Sequence, residues 1–156
     1  MIDLGWLAGR SVGLRVCARY FPGEGLRAKI TWRSGEAGVV VTCDDELRQA
    51  LADVERDAAR EPLIAEVTLD GGDSLSIGLG REVSVLSYVA ASGNPPYFSS
   101  QGSSRVRDGK GVVFYYYGHW SEFPASAAVP IEDAVQAVRY FCRYGGLSPQ
   151  LQWVEV

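Results

Sequence analysis

Two alternating runs, Leu63 to Leu69 and Ser74 to Leu79, are separated only by Asp70-Gly71-Gly72-Asp73. A period of two is that of a half-buried strand, and a four-residue turn is far too short for a parallel crossover. The pair is therefore read as an antiparallel hairpin. Val83 to Val89 follows after another short turn and extends it to a meander, which Ser92-Gly93-Asn94-Pro95-Pro96 breaks.

The rest of the chain is arranged around this meander. Val12, Leu14, Val16 and Ala18 alternate, as do Leu26, Ala28, Ile30 and Trp32, and Phe21 to Gly25 supplies a turn between them. This predicts a hairpin whose opposite face carries Arg15, Arg19, Arg27, Lys29 and Arg33. A strand over Gly38 to Thr42 comes after the turn at Ser34-Gly35-Glu36. Thr42-Cys43-Asp44-Asp45 then has the spacing of a helix cap, with Leu47, Leu51, Val54 and Ala58 at helical intervals and an end expected near Arg60. Gln101 to Gly111 reads as an exposed loop, and Val112 to Tyr117 as a strand. Pro130 is placed as the first residue of a second helix, striped by Ile131, Val135, Val138 and Cys142 and stopped at Gly145-Gly146. Leu151 to Val156 closes the chain as a strand. The expectation is one α+β domain over residues 1–156, mostly antiparallel sheet with two main helices, its strand order left open.

Composition narrows the function. At 47% hydrophobic, 22% charged and a net charge of −4, the 156 residues have the make-up of an ordinary globular chain rather than a disordered one, and no apolar run approaches the ~18 residues of a membrane span. The first ten residues lack a signal-peptide pattern, so a cytoplasmic location is expected. Cys17, Cys43 and Cys142 are odd in number, far apart and without a C-x-x-C, and read as reduced core thiols. The net charge is concentrated: the segment from Cys43 to Pro62 holds seven acids and three bases.

Catalytic signals are weak. His119 is the only histidine, and Ser121, His119 and Glu122 stand too close in sequence to converge as a triad, since on a strand Glu122 points away from the other two. No ligand pairs of zinc-site spacing occur, and Gly78-Leu79-Gly80-Arg81 lacks the lysine and the helix start of a phosphate loop. No metal and no cofactor is expected. Two features weigh more. Tyr115 to Pro124 packs five aromatics and a histidine into ten residues, of which a strand can bury only half. The inward set belongs to the core; the outward set is either covered by the second helix or free for a partner. The acidic helix, if it is more than a solvated face, suits a basic partner.

Leu75-Ser76-Ile77-Gly78-Leu79-Gly80, Ser84 to Tyr88, Tyr97 to Gly102, Tyr116-Tyr117-Gly118-His119-Trp120-Ser121-Glu122-Phe123-Pro124, Pro130 with Ala134 and Ala137 before Phe141 and Gly145, and Trp153-Val154-Glu155 resemble, in this order, the immunity protein one family of bacterial polymorphic toxin systems. The resemblance covers roughly Leu63 to Val156, and the Gly-His-Trp-Ser-Glu-Phe-Pro stretch with the terminal Trp-x-Glu is its most telling part. It implies a protein without enzymatic activity that binds and occludes the catalytic domain of a cognate secreted toxin. That toxin is expected to be basic, with a cytosine deaminase acting on nucleic acid as first choice and a nuclease as the alternative. The residues assigned to partner binding are His119, Trp120, Glu122, Tyr115 and Tyr117, with Asp45, Glu46, Asp53 and Asp57 on the acidic helix; neither nucleic acid nor membrane is expected as a partner. Two other readings compete: a small enzyme using His119 and Glu122 beside Gly78 to Arg81, and a nucleic-acid-binding module using the basic hairpin face with Trp32.

Overall fold

The computed structural model describes residues 27–102 and 110–156. Its centre is the expected meander, β3 (Leu63–Leu69) and β4 (Ser74–Leu79), antiparallel from Leu63 opposite Leu79 to Thr68 opposite Ser74. On one side β3 is paired by β1 (Ala28–Thr31), which is paired in turn by β2 (Val39–Val41). On the other, β4 continues to β6 (Leu86–Val89), β7 (Phe98–Gln101) and β11 (Gln152–Glu155), giving the order β11-β7-β6-β4-β3-β1-β2. Val83 to Val89 is two strands rather than one. β5 (Val83–Ser84) leaves the sheet at Val85 and pairs with β10 (Val129–Pro130).

Helices α1 (Asp44–Ala58) and α2 (Ile131–Tyr144) bury their stripes on one face of this sheet. Leu47, Ala50, Leu51, Val54, Ala137, Val138 and Phe141 meet Ile30, Val67, Leu75, Ile77 and Leu86 in one core. The cap of α1 is one residue off the expected register. Cys43 is the N-cap, and Glu46, in the first turn, accepts from the N–H and the hydroxyl of Thr42 at 2.6 and 2.9 Å. Pro130 likewise precedes α2 rather than opening it, and Gly145 ends it in the left-handed conformation with its N–H on the Phe141 carbonyl. Asp44 takes both arms of Arg139, at 2.7 and 3.1 Å, which ties the two helices together.

β1 pairs with β3 along its whole length and with β2 over Ala28 to Ile30; the hairpin expected with Val12 to Ala18 falls on a segment that, with Arg15, Arg19 and Cys17, lies outside the described residues. Two expectations need correction. Cys142 is a free, buried thiol pushed up to about 12 by burial, with the nearby Asp44 charge adding to it. Cys43, however, is disulfide-bonded rather than reduced. Spacing along a chain does not report the Cα separation on which pairing depends. Finally, β7 has four residues, Phe-Ser-Ser-Gln, with too little apolar alternation to be recognised, so the sheet holds more strands than expected. No helix among the described residues is long and apolar enough to cross a membrane.

Candidate docking surface

The aromatic stretch forms a hairpin, not one strand. β8 (Val112–Tyr116) and β9 (His119–Phe123) pair antiparallel, with Tyr116 opposite His119, so that Tyr117 and Gly118 alone make the turn. Both have positive φ, 48° and 80°, the backbone that a two-residue hairpin of matching twist requires and that glycine tolerates without cost. The hairpin joins the sheet through one parallel bridge, Leu63 to Tyr115, and the Tyr115 N–H donates to the Pro62 carbonyl at 2.8 Å.

Its two faces differ in kind. Val112, Phe114, Tyr116 and Phe123 pack with Ile64, Val85, Ala127 and Ala128 in a second core on the sheet face away from the helices. Phe114 is fully buried and lies flat on Gly78: a Cβ there would fall 2.7 Å from its ring. Arg81 holds the same strand, donating from Nε to the Val113 carbonyl at 2.9 Å with its guanidinium over the Phe114 ring. The opposite face presents Tyr115 directly across from Trp120, and Val113 across from Glu122. Trp120 is 59% exposed and Glu122 is exposed too; His119, opposite Tyr116 on the other face, is also exposed. Trp120 is therefore not covered by α2, while Tyr115 is half-buried. Tyr117 sits at the tip, its hydroxyl 3.0 Å from Oγ1 of Thr31.

The acids of α1 are placed differently. Glu46 is turned back to its cap, and Asp53 holds Arg56 and Gln49 beside a groove of about 250 Å³ lined by Trp32, Arg33 and Glu36. Asp57 accepts from the Trp32 indole at 2.8 Å and from Arg33 at 2.6 Å. Arg33, then Trp32, hold its carboxyl below the usual carboxylate range, and Asp57 correspondingly raises Arg33. Asp45 is exposed with no ion pair among the described residues. The three-residue segment Thr31-Trp32-Arg33 links the two sets, with Tyr117 bonded at its start and Asp57 at its end. Asp45 and Glu46 are 11 to 12 residues away, about 17 Å along the helix.

The competing enzymatic site is not brought together: His119 and Glu122 lie on opposite faces of β9, and neither lines the groove beside Trp32 or the one between the hairpin and the sheet. No metal-holding cluster occurs among the described residues. Trp32 is buried, which removes it as a stacking surface for bases, although Arg27 and Lys29 are exposed.

One feature escaped the sequence reading. Between the hairpin and the sheet runs a groove of about 270 Å³ lined by Glu66, Ser74, Ser76, Ser87, Tyr116, Ser121 and apolar neighbours. Tyr116 donates to Glu66 Oε2 at 2.6 Å, and burial first, then Glu66, raise its phenol well above its ordinary value. The signal was in the alternation: Ser74, Ser76 and Ser87 share one face because their apolar neighbours share the other.

No curated protein matches the chain. A family model described as Immunity protein Imm1 matches residues 35–155, more than three quarters of the sequence. The match begins upstream of the stretch that carried the resemblance and takes in β2 and α1 as well as the hairpin. This chain belongs to the Imm1 immunity protein family.

Proposed function

We propose that the chain acts in the cytoplasm of the producing cell as an immunity protein, binding the catalytic domain of a cognate secreted toxin and covering its substrate cleft. The observation that carries this is the hairpin. It presents a large aromatic, Trp120, to solvent beside Tyr115 and Glu122, on an element whose other face is locked into a core. Exposed aromatics on a rigid support make binding hot spots, because little freedom is lost on docking. Glu122 and the exposed acids of α1 suit a basic partner. A deaminase acting on cytosine in nucleic acid has a basic substrate channel of that kind and is the preferred target; a nuclease has a similar one. Inhibition is by occlusion, with desolvated aromatics holding the complex and charge setting encounter rate and partner choice. Affinity on the order of nanomolar or tighter is expected at an interface of standard size.

The test is co-purification with the carboxy-terminal toxin domain encoded beside this chain, followed by that toxin's activity assay with a stoichiometric amount of this protein. A one-to-one complex with loss of activity supports the reading, and the reaction that is lost names the target. Undiminished activity with no complex sinks it.

A further inference from the structure

We infer that the groove between the hairpin and the sheet receives an arginine side chain of the docked toxin, with Glu66 as its counter-ion. This rests on the docking reading above and specifies it. Glu66 is half-buried on the groove floor; among the described residues its carboxylate has no ion-pair partner, and it accepts from the neutral Tyr116 hydroxyl. Lys29 projects from the same sheet face, two residues along from Thr31, the cross-strand neighbour of Glu66, yet forms no ion pair with it. A carboxylate so placed attracts a cation. A metal ion is the poorer occupant, because no cluster of three ligating groups is present among the described residues.

The remaining lining favours a guanidinium. Ser74, Ser76 and Ser121 offer hydroxyl oxygens that accept hydrogen bonds, and Phe123 supplies an aromatic wall. A planar group with five donors uses such a ring of acceptors better than an ammonium does, and it tolerates desolvation better. Continuity with the docking surface points to the toxin as the source. Tyr116 and Ser121 line the groove from the same two strands that carry Tyr115, Trp120 and Glu122 on their outer face.

The test measures binding of the purified toxin domain to this protein and to Glu66→Gln, Tyr116→Phe and Ser76→Leu. Gln keeps the acceptor for Tyr116 but removes the charge; Leu fills the groove from its floor without touching Trp120. Glu66→Gln is expected to weaken binding about 30-fold or more, mainly through faster dissociation, with Tyr116→Phe losing less. Ser76→Leu is expected to weaken it by a comparable factor with an unchanged circular dichroism spectrum. Affinities within twofold of the unaltered protein for Glu66→Gln and Ser76→Leu overturn the groove while leaving the hairpin as the docking surface. If the unaltered protein binds no toxin domain, the docking reading fails and the groove assignment fails with it.

Discussion

Trp120 and Phe114 stand six positions apart on one hairpin and have opposite fates, because the alternation along β8 and β9 sends one into water and the other onto Gly78. Trp120→Ala is expected to leave thermal stability within about 0.5 kcal/mol, since an exposed side chain holds little of the fold. Toxin binding should fall by about 2 kcal/mol or more. A lowered melting temperature with unchanged affinity would show the opposite role. Asp57 carries the pH prediction. Its folded pKa lies below its ordinary 3.8, so its stabilising effect is fully present above about pH 5 and is lost as pH falls through the folded value. The urea midpoint of Asp57→Asn should therefore lie below that of the unaltered protein by a constant gap at neutral pH, and the gap should close in acid. That Asp57 binds Trp32 could not be read in advance. The two are 25 residues apart, and the charge pattern only marked the acid as facing water.

Elements were legible where a period was strong. β3, β4, α1 and α2 stand within a residue or two of their expected bounds, because each has an apolar stripe longer than one turn or several alternations. β7 has no such stripe, and the aromatic stretch hid its own turn: a tyrosine at positive φ is rare, so Tyr117-Gly118 did not read as a break. The seat of the hairpin on the sheet gives the element-level prediction. Gly78→Ala would drive a methyl into the fully buried Phe114 ring, and overpacking of this kind costs about 1–3 kcal/mol. Chemical denaturation reads that loss. Toxin affinity should fall with it, since the hairpin must shift on its support; a stable, fully active variant would mean that the hairpin does not depend on that contact.

For the molecule as a whole, the acidic segment was visible in the sequence but its division was not, because capping and ion pairs are set by the three-dimensional arrangement. Glu46 and Asp57 are committed internally, while Asp45 remains free to act at a distance. Neutralising Asp45 and Asp53 together should slow association with a basic toxin several-fold at low salt, with little change in dissociation. The difference should vanish near 1 M salt, where charges are screened within about 3 Å. Stopped-flow association across ionic strengths decides this, and a salt-independent rate would remove α1 from the encounter surface. The groove was missed for a related reason, since serines at alternate positions look like the wet side of any strand until a second layer is folded over them. The two-faced hairpin also bears on how such proteins diversify. Every second position, 115, 120 and 122 among them, can change without disturbing the residues seated on Gly78. With the hairpin as the docking surface proposed above, a lineage can exchange one adversary for another by altering a few outward letters, while the inherited scaffold beneath stays as it was.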